Sequence, residues 1–244
     1  ALIFIKLIGR RTLGLGYSLV FTDFLLASFV PSTGARSGGI ILPIARSVTE
    51  TYDSRPEDGT EGRLGTFLMT MLYQCEVVLC ATFLTGQASN AIIRSLVAEN
   101  TGIDLNFSTW FVSAIVPSIL SLIAVPIMIY KLFPPEVKET PNAVTFAKDE
   151  LEKLGPVSRN EKILLVIFVG VVSLWISAFA HGIDSTVIAL VGIGVLLVTG
   201  VLEWRDLIDE RNAWEVFIWY GGLVMMAGEL GRTHIPSLCA SSVA

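Results

Sequence analysis

LLASFVPSTGARSGGIILPIARS, residues Leu25–Ser47, is the stretch that decides the fold of this chain. Two apolar runs, Phe21–Val30 and Ile40–Ser47, flank a group of small, hydroxyl and glycine residues with Arg36 at its centre. Each run is about half of what a helix needs to cross a ~30 Å hydrocarbon core at ~1.5 Å per residue. The pattern therefore indicates a polar turn between two half-length helices.

The composition indicates lipid as the solvent. Of 244 residues, 52% are hydrophobic and 16% are charged, against about 25% charged residues in soluble domains. A soluble domain of this size has too little interior to bury so much apolar surface. We therefore predict an all-α polytopic protein of the lipid bilayer. The net charge of -5 argues against a nucleic-acid partner, which needs a basic face.

Long apolar stretches give the predicted spans. They are Leu105–Tyr130, Ile163–Ala180, Ser185–Leu202, the start of another at Val216–Gly228, and Leu64–Ile93, which is interrupted by Glu76 and by TGQASN. The first twenty residues, with Lys6, Arg10 and Arg11 among aliphatic residues, predict a helix that lies along the membrane surface.

The distribution of lysine and arginine constrains the path of the opening stretch. The connection Lys131–Lys162 holds six lysine and arginine residues, which places it on the cytoplasmic side. Counting spans back from it places Arg46–Arg63 on the same side, and the basic N-terminal helix also belongs there. The chain between them must enter and leave the membrane by one face. Residues 21–50 are therefore predicted to form a re-entrant hairpin with PSTGARSGG at its tip.

A second polar interruption follows the hairpin, in FLTGQASNAII, Phe83–Ile93. Thr85, Gly86, Ser89 and Asn90 lie in the middle of an apolar run there, as in a broken membrane helix. Non-helical backbone at membrane depth is tolerated where it is buried in protein or lines a wet cavity. Helix N-termini at such breaks favour anions, and paired breaks indicate a transporter site near the midplane.

The residues alone leave alternatives open. Small residues in membrane helices also serve helix packing, and the hairpin tip is also compatible with a cytoplasmic turn between two surface helices. Arg36 needs a partner at that depth: helix-end carbonyls, Glu76, or a substrate carboxylate. Asp23 is expected near the interface. An intramembrane hydrolase with Ser32 or Ser89 as nucleophile is the competing class, but it needs a nearby general base, and we predict no enzyme.

The chain also resembles a known family. The motifs are PSTGARSGG followed by LPIARS, then GTEGRLGTFLM, FLTGQASN, YKLFPPEVKETP, LGPVSRNEK and AWEVFIWYGGLVMMAGEL. They resemble the divalent-anion:sodium symporter superfamily, and within it the 2-oxoglutarate/malate translocator branch, from about Leu13 to about Leu230. The resemblance implies two inverted repeats, each with a re-entrant hairpin and a facing broken helix, an exchanger of C4 and C5 dicarboxylates such as malate and 2-oxoglutarate, and a homodimer.

The resemblance also implies site residues. Together with the residue pattern it predicts a substrate-binding set of Ser32, Thr33, Gly34, Arg36, Thr85, Ser89 and Asn90, in which Arg36 follows from charge placement and not from the family; the sodium site that symporters have would fall on Ser28, Ser32 and Gly86. Ser32-Thr33-Gly34 replaces the family's Ser-Asn-Thr signature, so the amide is lost. That change favours sodium-independent exchange over the alternative of a sodium-coupled di- or tricarboxylate or sulfate symporter, with Arg36 supplying the positive charge.

The expected organisation follows. It comprises the surface helix (1–20), the hairpin (21–50), the broken helix and next span of the first repeat (64–133), a cytoplasmic connection (134–162), the start of a second repeat (163–230) and an anomalous tail (231–244). We expect a piece of a longer protein that carries about half of a binding site. A bacterial inner membrane is the expected location, with a plastid inner envelope as the alternative.

Overall fold

The structure is a computed structural model that describes residues 1–30 and 32–233. In these ranges the regular secondary structure is helical, and an isolated antiparallel bridge joins Arg11 to Glu139. The all-α prediction is confirmed. Most of the tail predicted for residues 231–244 lies outside the described residues.

The chain forms the following elements in order. The α-helices are α1 (Leu2–Ile8), α2 (Thr12–Ala27), α3 (Leu42–Glu50), α4 (Gly65–Thr82), α5 (Ala88–Thr101), α6 (Phe107–Leu132), α7 (Pro141–Leu154), α8 (Arg159–Ile176), α9 (Ala178–His181), α10 (Ser185–Val198), α11 (Trp204–Asp209), α12 (Arg211–Glu215) and α13 (Gly221–Arg232). Stretches of π-helix, Gly34–Ile41 and Val216–Tyr220, run directly into α3 and α13. Two units are formed, Ala1–Leu190 and Val191–Ala244.

Helices α2, α4 and α6 pack against one another and form the core of the first unit. The buried residues that α4 and its N-cap contribute are three or four positions apart, which places them on one face; they include Leu64, Leu68, Met71, Cys75 and Leu79. Phe67 of α4 meets Tyr130 of α6 edge to face, with ring centroids 5.4 Å apart. Lipid tails are as apolar as leucine, so in a membrane such packing stabilises mainly through van der Waals contact.

Within residues 1–30 and 32–233, two helices are long and apolar enough to cross a membrane: Gly65–Thr82 and Phe107–Leu132. The second is the span predicted at Leu105–Tyr130, and it stays helical through Pro117 and Pro126. The span predicted at Ile163–Ala180 appears as α8, which is shifted four residues towards the N-terminus, and the span predicted at Ser185–Leu202 appears as α10, which ends at Val198. Helix α10 ends early because Gly200 adopts a positive φ of 71°, which ends a right-handed helix.

The N-terminal segment differs from the predicted single helix over residues 1–20. It forms α1 and α2, separated at Gly9–Arg11. Arg11 is extended (φ -118°, ψ 148°) because the chain pairs there with the 134–162 connection. Helix α2 then continues to Ala27, so the first arm of the hairpin is the second half of a longer helix.

Three segments that carry lysine or arginine residues meet at one end of the first unit. The Thr12 N–H donates to the Lys138 carbonyl (3.1 Å), and the Thr140 N–H donates to the Arg10 carbonyl (2.7 Å). The Val137 N–H donates to the Arg63 carbonyl (3.0 Å). These contacts join the N-terminus, the 46–63 segment and the 134–162 connection, which the charge distribution places at one membrane face.

The second unit is described from Val191 to Thr233. The Glu203 and Asp206 side chains form a capping box at the start of α11. The Trp214 indole N–H donates to the Leu207 carbonyl (2.9 Å), and its ring meets Phe217 edge to face. The π-helix Val216–Tyr220 contacts both α12 and α13.

The buried Thr140 hydroxyl supports the packing of the connection against the N-terminus. It has no exposed surface and donates to the Gly9 carbonyl at 2.7 Å. We expect Thr140→Val to lower the free energy of unfolding by about 1–3 kcal/mol, because a buried acceptor loses its donor. Thermal unfolding of the purified protein measures the change. The control is Thr145→Val, whose hydroxyl is exposed on α7; equal effects of the two changes would contradict the assignment.

Candidate functional site

The hairpin turn lies between Ala27 and Thr33, shorter than predicted. The Ser28 hydroxyl donates to the Leu25 carbonyl (2.7 Å) at the end of α2. The Ser32 hydroxyl accepts from the Ala35 N–H (3.3 Å), and the Ser32 carbonyl accepts from the Arg36 N–H (2.9 Å). Ser32 therefore begins the second arm. Gly38 and Gly39, which the prediction placed in the turn, lie in the π-helix.

The predicted break in the next helix is present. Helix α4 ends at Thr82, Phe83 and Gln87 are extended, and a 3₁₀ turn over Leu84–Gly86 separates them before α5 begins at Ala88. The backbone leaves helical geometry there, so the carbonyls at the end of α4 lose their partners within the helix.

Asn90 supplies partners for those carbonyls. Its side chain is 1% exposed, and its Nδ2 donates to the Cys80 carbonyl (2.7 Å) and the Phe83 carbonyl (2.9 Å). Its Oδ1 accepts from the Gln87 Nε2 at 3.2 Å. Both amide donors are thus engaged within the protein, and in this conformation Asn90 holds the break in shape and does not face a ligand.

Thr85 joins the break to the hairpin. Its hydroxyl donates to the Ser28 carbonyl at 2.8 Å, across 57 residues of chain. Ser89 lies half-buried in the first turn of α5. The structure thus brings the hairpin turn and the break together, as the prediction of a shared site requires.

Arg36 lies in the interior between the two arms and the break. It is 0% exposed, its Nε donates to Asp23 Oδ1 (2.6 Å) and its Nη2 to Glu76 Oε1 (2.5 Å). Its Nη1 donates to the carbonyls of Val30 (3.0 Å) and Gly86 (3.1 Å). All three nitrogens therefore bind protein groups, which come from α2, the turn, α4 and the break, and in this conformation the guanidinium has no surface for a substrate.

Asp23 also belongs to this cluster, although the sequence pattern did not place it there. It was expected near the interface, but its side chain is 2% exposed and lies in the core against Arg36. The sequence does place this carboxylate inside the apolar run of α2. Ionisable residues at membrane depth usually have a partner, so the position of Asp23 could have indicated a pairing with Arg36. Ser37 was also missed: its hydroxyl contacts Asp23 Oδ2 (3.1 Å) and Glu76 Oε2.

The predicted sodium-site positions already accept hydrogen bonds from the protein. Thr85 donates to the Ser28 carbonyl, and Arg36 donates to the Ser32 carbonyl through its backbone and to the Gly86 carbonyl through its guanidinium. A sodium ion at the Gly86 oxygen would lie beside a fixed cation, so this arrangement does not fit the ion. Among the described residues, no group of three or more His, Cys, Asp or Glu side chains could hold a metal.

A substitution at Gly86 tests this geometry, because the break has no room for a side chain there. A Cβ at Gly86 would lie 2.5 Å from the Cys80 carbonyl oxygen and 3.0 Å from that of Leu79. We expect Gly86→Ala to displace the break and sharply reduce the yield of monodisperse protein in size-exclusion chromatography. Gly170→Ala is the control: nothing lies within 4 Å there, and alanine favours a helix by about 1 kcal/mol. Normal yield of Gly86→Ala would refute the close approach.

Comparison with known proteins identifies the family. The family model described as the sodium:sulfate symporter transmembrane region matches residues 1–244. The chain is 43% identical over 235 residues to the putative malate transporter YflS of Bacillus subtilis, covering 96% of this chain and 49% of that protein. It is 41% identical over 229 residues to dicarboxylate transporter 1, chloroplastic, of Spinacia oleracea, covering 94% and 40%.

A third relative is the inner membrane protein YbhI of Escherichia coli, 35% identical over 232 residues, which cover 95% of this chain and 48% of that protein. The chain thus spans half or less of the length of each of these relatives. The family is one of transporters, which confirms the predictions of an integral membrane protein and of no enzyme. The chain belongs to the sodium:sulfate symporter family, within the divalent-anion:sodium symporter superfamily that its motifs resemble.

Proposed function

We propose that the protein to which this chain belongs is a secondary transporter that exchanges C4 and C5 dicarboxylates, such as malate and 2-oxoglutarate, by alternating access. The observation that carries the proposal is the contact between hairpin turn and helix break through Thr85 and Arg36. Relatives named as malate or dicarboxylate transporters support the class of substrate. By the family resemblance we further propose that the whole protein is a homodimer.

The substrate is proposed to lie at the junction of turn and break. The second arm of the hairpin begins beside Ser32, and α5 begins at Ala88, so both present helix N-termini there. Unpaired N–H groups and the positive end of the helix dipole favour a carboxylate. Ser32, Thr33, Gly34, Thr85 and Ser89 are half-buried or exposed, and we assign them to the substrate. Arg36 and Asn90 are assigned to positioning.

Exchange without sodium is proposed because the Arg36 guanidinium already occupies the Gly86 carbonyl and Thr33 replaces the signature amide. In proteoliposomes of the whole purified protein, we expect labelled malate uptake to require an internal dicarboxylate and to be unchanged when choline replaces sodium. Uptake that collapses in choline would establish the sodium-coupled alternative. Absence of dicarboxylate-dependent uptake in either salt would overturn the proposed function.

Ser89 and Ser95 of α5 provide a matched pair of variants. Ser89 lies in the first turn beside the break, whereas Ser95 is exposed and donates to the Ala91 carbonyl. We expect Ser89→Ala to raise the KM for malate about tenfold, the effect of one hydrogen bond to a charged group. Ser95→Ala leaves KM unchanged. Equal KM values for both variants would remove Ser89 from the site.

A further inference from the structure

The hydroxyl of Ser37 lies between two carboxylates. It contacts Oδ2 of Asp23 at 3.1 Å and Oε2 of Glu76 at hydrogen-bond distance. A hydroxyl has one proton and so donates to one oxygen only. The second contact is a hydrogen bond only when that carboxyl group itself carries a proton, which it donates to the Ser37 oxygen. Two ionised carboxylates would leave one pair of oxygens with no hydrogen between them.

The charge balance also indicates that the two carboxyl groups share one bound proton. Arg36 contributes one positive charge and is ion-paired to both carboxylates, whose side chains are 2% (Asp23) and 15% (Glu76) exposed. With both ionised, the buried cluster carries a net charge of about -1, and a buried unbalanced charge is costly. One proton on the pair makes the cluster neutral.

Among the described residues, the surroundings of the pair offer no second cation to balance the charge. The titratable neighbours are Cys75, Cys80 and Tyr73: Cys80 Sγ lies 3.6 Å from Glu76 Oε1, and Tyr73 lines the same cavity as Glu76. None of these side chains is positively charged in any protonation state.

The charged residues of the helices packed around the cluster lie elsewhere. Helix α6 carries Lys131 in its last turn, and Lys6 of α1 is exposed. Arg46 and Glu50 of α3 pair with each other at the surface. Among the described residues, Arg36 is thus the cation that contacts the carboxylate pair.

A cavity lies beside the pair. Its volume is about 300 Å³, and it is lined by Ser37, Gly38, Ile41, Leu42, Tyr73 and Glu76 among others. The cavity walls come from the second arm of the hairpin and from α4. Glu76 is the more exposed of the two carboxylates and lines this cavity, so exchange of a proton with the cluster would pass through its side chain.

We propose that Asp23 and Glu76, bridged by Arg36 and Ser37, form a proton-binding site that holds one exchangeable proton. The reaction is addition of a proton from water to one carboxylate, giving a carboxylic acid, and its return to water. The inference extends to transport, where it rests on the proposed function. The cluster is bonded to the Gly86 carbonyl, and it repels an anionic substrate less when it is neutral than when it carries a negative charge. Dicarboxylate binding is then favoured by protonation.

Infrared spectroscopy tests the proton site without transport. In the whole purified protein we expect the carbonyl stretch of a buried carboxylic acid near neutral pH, its shift in D₂O, and its loss at high pH. Asp23→Asn and Glu76→Gln should each remove the pH-dependent signal while keeping an oxygen that accepts from Arg36. Asp104→Asn is the control, because that carboxylate pairs with Arg94 and is 62% exposed. A wild-type spectrum without such a band across this range overturns the proposal.

Binding of malate tests the link to substrate. Above pH ~6.5 both malate carboxyls are ionised, so a pH dependence there belongs to the protein. We expect the wild-type Kd to rise by up to about tenfold per pH unit as the site loses its proton, and Asp23→Asn and Glu76→Gln to remove that dependence. A pH-independent Kd with the infrared band present overturns the link to substrate; no malate binding at any pH refutes the proposed function instead.

Discussion

The first unit is organised around a buried arginine, whose charge is energetically unfavourable in a membrane. A charged side chain at bilayer depth costs at least about 2.5 kcal/mol, and Arg36 has no exposed surface. Its partners come from α2, from the turn, from α4 and from the break. Because one guanidinium binds all four, the hairpin cannot separate from the broken helix without leaving a charge unpaired. Removing one partner of a buried ion pair usually costs about 3–5 kcal/mol.

The break in the next helix is shaped for that contact. Asn90 satisfies the carbonyls at the end of α4, and the absence of a side chain at Gly86 lets the backbone approach Cys80. The Gly86 carbonyl then faces Arg36, and Thr85 reaches the Ser28 carbonyl. The residues that a family resemblance assigns to substrate thus divide into two kinds. Arg36 and Asn90 are engaged within the protein, whereas the hydroxyl and glycine residues around them keep exposed surface.

Some of this arrangement could be predicted from the sequence and some could not. The break at TGQASN was evident because polar and small residues interrupt an otherwise apolar run. The turn was also evident, but its extent was not, because Gly38 and Gly39 suggested irregular backbone where the chain forms a π-helix. The register of this π-helix, together with the length of α2, decides which side chains face Asp23. The ion pair between Asp23 and Arg36 depends on how the two arms pack, which residue spacing alone does not reveal.

Arg36 and the two carboxylates thus act as one unit that joins the hairpin to the broken helix. A double-mutant cycle on the whole purified protein, with Arg36→Gln, Glu76→Gln and the double variant, followed by unfolding in detergent, measures this coupling directly. We expect an interaction free energy of about 1–3 kcal/mol, because the single change at Arg36 leaves both carboxylates buried without a cation. Effects that add to within about 0.5 kcal/mol would contradict it.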